Sequence, residues 1–109
     1  MSRTVIDLGE YATQGVGILA GRERGALARK TLGLDGADKR GVEFEVRVPS
    51  EIISVNSSFF LGMFGESVRA LGEATFRKRY AFVGGPDADR IRDEGIRKAL
   101  RTGSPLPSS

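Results

Sequence analysis

A chain of 109 residues with 39% apolar and 28% charged side chains suits one globular domain, since chains of roughly 100–150 residues bury about two thirds of their surface around a single core. With no cysteine and no histidine, disulfide staples, thiolate nucleophiles, Cys/His zinc sites and Ser-His or Cys-His couples are excluded. The net charge of +3 is uneven: eight basic side chains balance eight acidic ones over residues 1–65, whereas nine face six beyond residue 65.

Thr4 to Leu8 is short and β-prone and ends at Gly9, which predicts a first strand, and Val16 to Ala20 reads as a second. From Arg22 to Leu32 the residues are good helix formers, with Gly33 as the stop. In Val42-Glu-Phe-Glu-Val-Arg-Val48 apolar and charged residues alternate until Pro49, which predicts a strand buried on one face. Its other face, carrying Glu43, Glu45 and Arg47, is expected to meet water or a partner, because a parallel strand covered on both sides is apolar throughout.

A β-leaning link, Ile52 to Val55, leads to Asn56-Ser57-Ser58 and then to a helix whose Phe60, Phe64, Val68 and Leu71 form one stripe. Gly62 and Gly65 inside it each cost about 1 kcal/mol relative to Ala, and close backbone packing against a sheet is the expected compensation. Phe76 to Tyr80 leads into a strand, Tyr80 to Val83. Gly84-Gly85-Pro86-Asp87 reads as a turn opening a last helix from Ala88 to Arg101. The alternation of strands and helices predicts an α/β fold, a single layer of four to five strands in one sheet with three main helices and one face partly exposed. The domain spans 1–101, and 102–109 is too polar and proline-rich to order itself. No run approaches the ~20 apolar residues that span a bilayer, and Met1 to Leu8 lacks a leader's apolar segment. A cytoplasmic protein without a membrane partner is expected.

Several stretches carry possible chemistry. Gly15-Val-Gly17 and Gly21 look like a phosphate-binding glycine loop, but apolar Val16 to Ala20 fills its middle and no P-loop lysine follows, so a turn, strand and turn is expected. Asp35-Gly-Ala-Asp38 is a fragment of a cation loop without its remaining ligands and reads as a polar turn. No metal or cofactor is expected, and no carboxylate or Ser-Lys cluster argues for an enzyme. Arg77-Lys78-Arg79 beside Phe76 and Tyr80 fits phosphates and stacked bases, or else a solvated edge that discourages strand pairing.

Asn56-Ser57-Ser58 has the composition of a helix N-cap, in which a short side-chain oxygen accepts from a free amide. Two hydroxyls at the amino end of a helix also make a place where phosphate is favourable. Val55-Asn-Ser-Ser-Phe-Phe-Leu-Gly-Met-Phe-Gly65, with Ser67-Val-Arg-Ala-Leu-Gly72 and Phe76, resembles the STAS-like domain of unknown function, a relative of sulphate-transporter and anti-sigma factor antagonist domains. The similarity runs from about Val5 to Leu100. In phosphorylatable relatives an Asp, two small hydroxyl residues and a Gly head the helix, and a partner serine kinase modifies the second hydroxyl. The resemblance therefore implies Ser58 as phospho-acceptor with Ser57 beside it, while Asn56 stands in place of the acid and Phe59 in place of the Gly. It implies a non-enzymatic regulatory module that binds a protein partner, an ATP-binding serine kinase or anti-sigma-like factor, through Asn56, Ser57, Ser58, Phe59 and the following helix. The alternative is a small nucleic-acid-associated protein using the basic carboxy-terminal half.

Overall fold

The computed structural model describes residues 3–12, 18–50, 52, 54–84 and 86–102. Three strands, β1 (Thr4–Asp7), β3 (Phe44–Arg47) and β5 (Tyr80–Val83), form a parallel sheet in the order β1-β3-β5. The register aligns Val5, Glu45 and Ala81 in one row and Asp7, Arg47 and Val83 in another. Side chains alternate across the pleat, so Ile6, Phe44, Val46, Tyr80 and Phe82 turn into the core. The opposite face is open, with Val5 45% and Val83 40% exposed and Arg47 paired to Glu45 at 2.5 Å. The open face expected from the alternating run is thus present, in a sheet whose strands are parallel.

Two further strands, β2 (Ile18–Leu19) and β4 (Ser54–Val55), pair, among the described residues, only with each other. The fold is α/β as expected, but the five strands among the described residues divide between two sheets instead of joining one. The second pair is too short to extend the first: each member holds two residues before its chain turns into a helix. Residues 13–17, with Gly15 and Gly17 of the glycine-rich stretch, lie outside the described residues, while Gly21 precedes a helix.

The three main helices are α1 (Arg22–Leu32), α3 (Ser57–Leu71) and α5 (Pro86–Thr102). Helix α3 is central, packing against both α1 and α5. Its Phe60 and Phe64 reach the sheet, where Phe64 lies 5.5 Å from the Tyr80 and Phe82 rings and Phe60 lies 6.0 Å from Phe82. Ser67, one turn further on, is fully buried. Helix α5 runs one residue past the expected boundary at Arg101, and residues 103–109 of the expected tail lie outside the described residues.

Gly62 is compensated by a helix and not by the sheet: a Cβ there would lie 2.2 Å from the Arg22 carbonyl oxygen in α1. Gly25 makes the reciprocal approach, 2.2 Å from the Phe59 carbonyl oxygen. Gly65 has no such backbone neighbour and meets only side-chain atoms of Arg69 and Leu61.

Two short helices stand where a polar turn and a lead into a strand were expected. The Asp35-Gly-Ala-Asp38 segment lies in α2 (Leu34–Arg40), which Gly33 joins to α1 through a left-handed residue at φ 66°. Leu34 and Ala37 bury one side of it. The run before Tyr80 is α4 (Glu73–Arg79), separated from α3 by Gly72 at φ 84°. An i,i+4 pair between Glu73 and Arg77 at 3.0 Å and burial of Phe76 favour helix there over an extended entry to β5.

Candidate functional site

The corner at the head of α3 is built on the two-stranded sheet, since Asn56 follows β4 directly. The Asn56 backbone N–H donates to the Leu19 carbonyl at 2.7 Å, tying the helix start to β2. The Asn56 side chain caps the helix, its Oδ1 accepting from the Ser58 amide at 2.8 Å. Phe59 is 1% exposed, so the bulky residue anchors the first turn in the core. Ser58 is exposed and Ser57 half-buried, and Lys98 of α5 approaches the Ser57 Oγ at 3.4 Å. Asn56, Ser57, Ser58 and Phe59 therefore share one corner, but they divide into two roles. Asn56 and Phe59 hold the turn, while Ser58 faces outward. The first turn of α3 carries no acidic side chain, so the positive end of its dipole meets no side-chain charge from its own turn.

A second polar cluster lies beneath the surface, and it was not foreseen. Arg29 is 7% exposed and Ser67 0%, and the Asp38 side chain is 8% exposed. The Arg29 Nη1 donates to the Ser67 Oγ at 2.8 Å and to the Met63 carbonyl at 3.0 Å, and its Nε donates to Asp35 at 2.9 Å. Asp38 accepts from the Tyr80 hydroxyl at 2.6 Å on one oxygen and from Ser67 on the other. Burial, and then the hydrogen bond to Asp38, push the Tyr80 hydroxyl well above its ordinary pKa. The network joins α1, α2, α3 and β5, and each buried polar group in it has a partner. Because Ser67 is closed to solvent, its contact with Asp38 holds elements together without presenting a hydroxyl to a ligand.

The basic carboxy-terminal half pairs its charges extensively. Arg77 of the Arg77-Lys78-Arg79 run bonds Glu73 and Asp93, Arg90 reaches Asp87 and Glu94, and Arg92 reaches Asp89 and Asp93. Hydrogen bonding from Arg92, and after it from Arg77, holds the Asp93 carboxyl below its ordinary range. Arg79 turns back onto the Asp38 carbonyl at 3.3 Å. Among the described residues no group of three acidic side chains gathers as a metal site, and no helix is long and apolar enough to cross a membrane. Comparison of the chain with protein-family models, curated proteins and solved structures finds no match.

Proposed function

We propose that this protein is a non-enzymatic regulatory module of the cytoplasm, similar to STAS-like domains, that docks a protein partner through the Asn56–Ser58 corner and the exposed side of α3. The observation that carries the reading is the contrast between neighbours: Ser58 is exposed while Phe59 is 1% exposed. A partner would meet a hydroxyl held at a defined position by the core. The corner also suits a switch. A phosphate on Ser58 would sit at the amino end of a fifteen-residue helix, where the dipole favours it, and would add nearly two negative charges to the docking surface. The folded domain would tolerate the modification and the partner would not.

An ATP-binding serine kinase or anti-sigma-like factor is the partner class that the resemblance suggests. The test uses the full chain as bait in wild-type, Ser58→Ala and Ser58→Asp forms, with a partner identified by mass spectrometry and then titrated in purified form. The Ala variant should bind as the wild type does and the Asp variant at least about tenfold more weakly, a loss of roughly 1.4 kcal/mol. Equal affinity of the two variants would remove the switch and leave the docking module.

A further inference from the structure

The outward side of α3 does not end at the corner. Ser58, Leu61, Gly62, Glu66 and Arg69 follow one another at helical spacing and form a single stripe. The stripe runs along a groove of about 530 Å³ between α1 and α3. Ala26, Leu61 and Gly62 line it, with Leu34 buried at its base. The groove exists because Gly62 and Gly25 let the two backbones touch below it.

Its charges are not balanced. Arg22, Lys30 and Arg69 line the groove and make no ion pair among the described residues. The acids beside them, Asp35 and Glu66, turn to the buried Arg29, whose Nε lies 2.9 Å and 3.5 Å from them and whose single charge Asp38 shares. An apolar floor is thus bordered by three cations that pair with no carboxylate among the described residues, in a lining that carries four basic side chains against two acidic ones.

From this we infer that the α1/α3 groove takes an acidic segment of a partner protein, one that carries a leucine-like side chain between its carboxylates. The inference rests on the docking reading above and adds the chemistry of the partner. Arg22 and Lys30 are eight positions apart on one helix, about 12 Å along its axis, so a single small anion cannot reach both, whereas two helical turns of a peptide can. Single-stranded nucleic acid fits less well, because it needs exposed rings for its bases. Here all six phenylalanines and Tyr80 are buried, and Tyr11 lines a different depression, beside Leu27. The stripe also gives the Ser58 switch a physical route. A phosphate there lies one turn, about 4.5 Å of axial rise, before Leu61, and it would repel an acidic segment seated in the groove.

The experiment is a titration of the isotope-labelled full chain, followed by amide chemical shifts. The probes are an acetylated, amidated peptide of about twelve residues with leucines at i and i+4 flanked by Glu (a helix of that length spans ~18 Å), the same peptide with Gln for Glu, and an oligothymidylate of similar length. The acidic peptide should shift the amides of Ala26, Gly62 and Arg69 with a dissociation constant below about 1 mM. The Gln peptide should not. The Arg22→Glu, Lys30→Glu, Arg69→Glu variant should weaken binding at least about tenfold, with single Lys30→Gln and Arg69→Gln variants as companions should the triple variant fold poorly. The inference is overturned by no groove shifts with the acidic peptide, by equal shifts with the Gln peptide, by indifference to all of these substitutions, or by larger groove shifts with the oligothymidylate. The docking reading is judged separately. Peptide binding lost by charge reversal but unaffected by Ser58→Asp would keep the groove and remove the switch, and a partner held by the charge-reversed protein but lost on Ser58→Asp would do the opposite.

Discussion

Gly25 of α1 and Gly62 of α3 sit at one helix crossing, each lacking the Cβ that would strike the other helix's backbone. A Cβ on either would come within 2.2 Å of a carbonyl oxygen, and backbone atoms cannot swing aside as a side-chain tip can. Gly62→Ala should therefore destabilise the domain by about 1–3 kcal/mol through overpacking, despite the ~1 kcal/mol that alanine contributes in an isolated helix. Gly65→Ala, three residues on, is the control. Its Cβ meets the Arg69 guanidinium at 3.3 Å, and that exposed side chain can move, so up to about 1 kcal/mol of stabilisation is expected. Urea melts of the two variants should shift in opposite directions, and a common direction would contradict the crossing as described.

The buried network gives a second contrast, between two aspartates of α2 that both bond Arg29. Asp38 is 8% exposed and Asp35 73%. Asp38→Ala should cost about 1–3 kcal/mol, because it leaves the buried Ser67 and Tyr80 hydroxyls without the carboxylate that accepts from them, while Arg29 keeps Asp35 and the Met63 carbonyl. Asp35→Ala, at the surface, should cost less than about 1 kcal/mol. Similar losses in the two would mean that Arg29 draws its support from the surface.

Tyr80 makes the domain sensitive to alkali. Its pKa in the folded state is raised above the ordinary 10.0 by burial and then by Asp38, so the folded chain keeps its proton where the unfolded chain has lost it. The stability that this supplies is complete below pH 10 and falls as the pH rises from there. Tyr80→Phe should cost about 1–3 kcal/mol at pH 7, since the buried Asp38 carboxylate loses a donor, and should flatten the decline above pH 10. Tyr11, raised by its own burial and then by Glu10, leaves a residual slope in the variant. Chemical denaturation from pH 7 to 11 measures both effects, and an unchanged alkaline slope in Tyr80→Phe would refute the assignment.

How far the sequence was legible follows from the range of the forces involved. The alternation from Val42 to Val48, the Asn56 cap and the Gly33 stop are local signals, and the corresponding elements stand where those signals put them. Helix α2 also had local marks, with Leu34 and Ala37 three apart between Gly33 and Gly41, but Gly36 in its middle and two aspartates read more naturally as a turn. The role of Asp38 could not be read locally at all. Its partners Arg29, Ser67 and Tyr80 lie 9, 29 and 42 positions away, and only the packing of three helices on the sheet assembles them. The same holds for Gly62, whose place in a helix was plain while its neighbour in α1 was not. The groove cations were hidden by averaging: Arg22 and Lys30 fall in the half of the chain where charges balance, and that they form no ion pair appears only once Asp35 and Glu66 are seen to turn to Arg29.

The corner of α3 can be tested for stability and binding together, which separates its two kinds of residue. Asn56→Ala removes the acceptor for the Ser58 amide and should cost about 1 kcal/mol, the usual value of a side-chain cap. Ser58 accepts no part of that burden, because its side chain is exposed. Ser58→Asp should instead be neutral or stabilising by about 0.3–1 kcal/mol, since it places a negative charge at a helix amino end whose first turn has none. The gain should shrink in 1 M salt, where screening shortens to about 3 Å. Thermal melts of both variants at low and high salt provide the check. A Ser58→Asp protein that melts no earlier than the wild type yet fails to hold its partner has lost binding through charge at the corner and not through unfolding, whereas a clear drop in its melting temperature would show that the Ser58 position supports the helix and is not free to carry a phosphate.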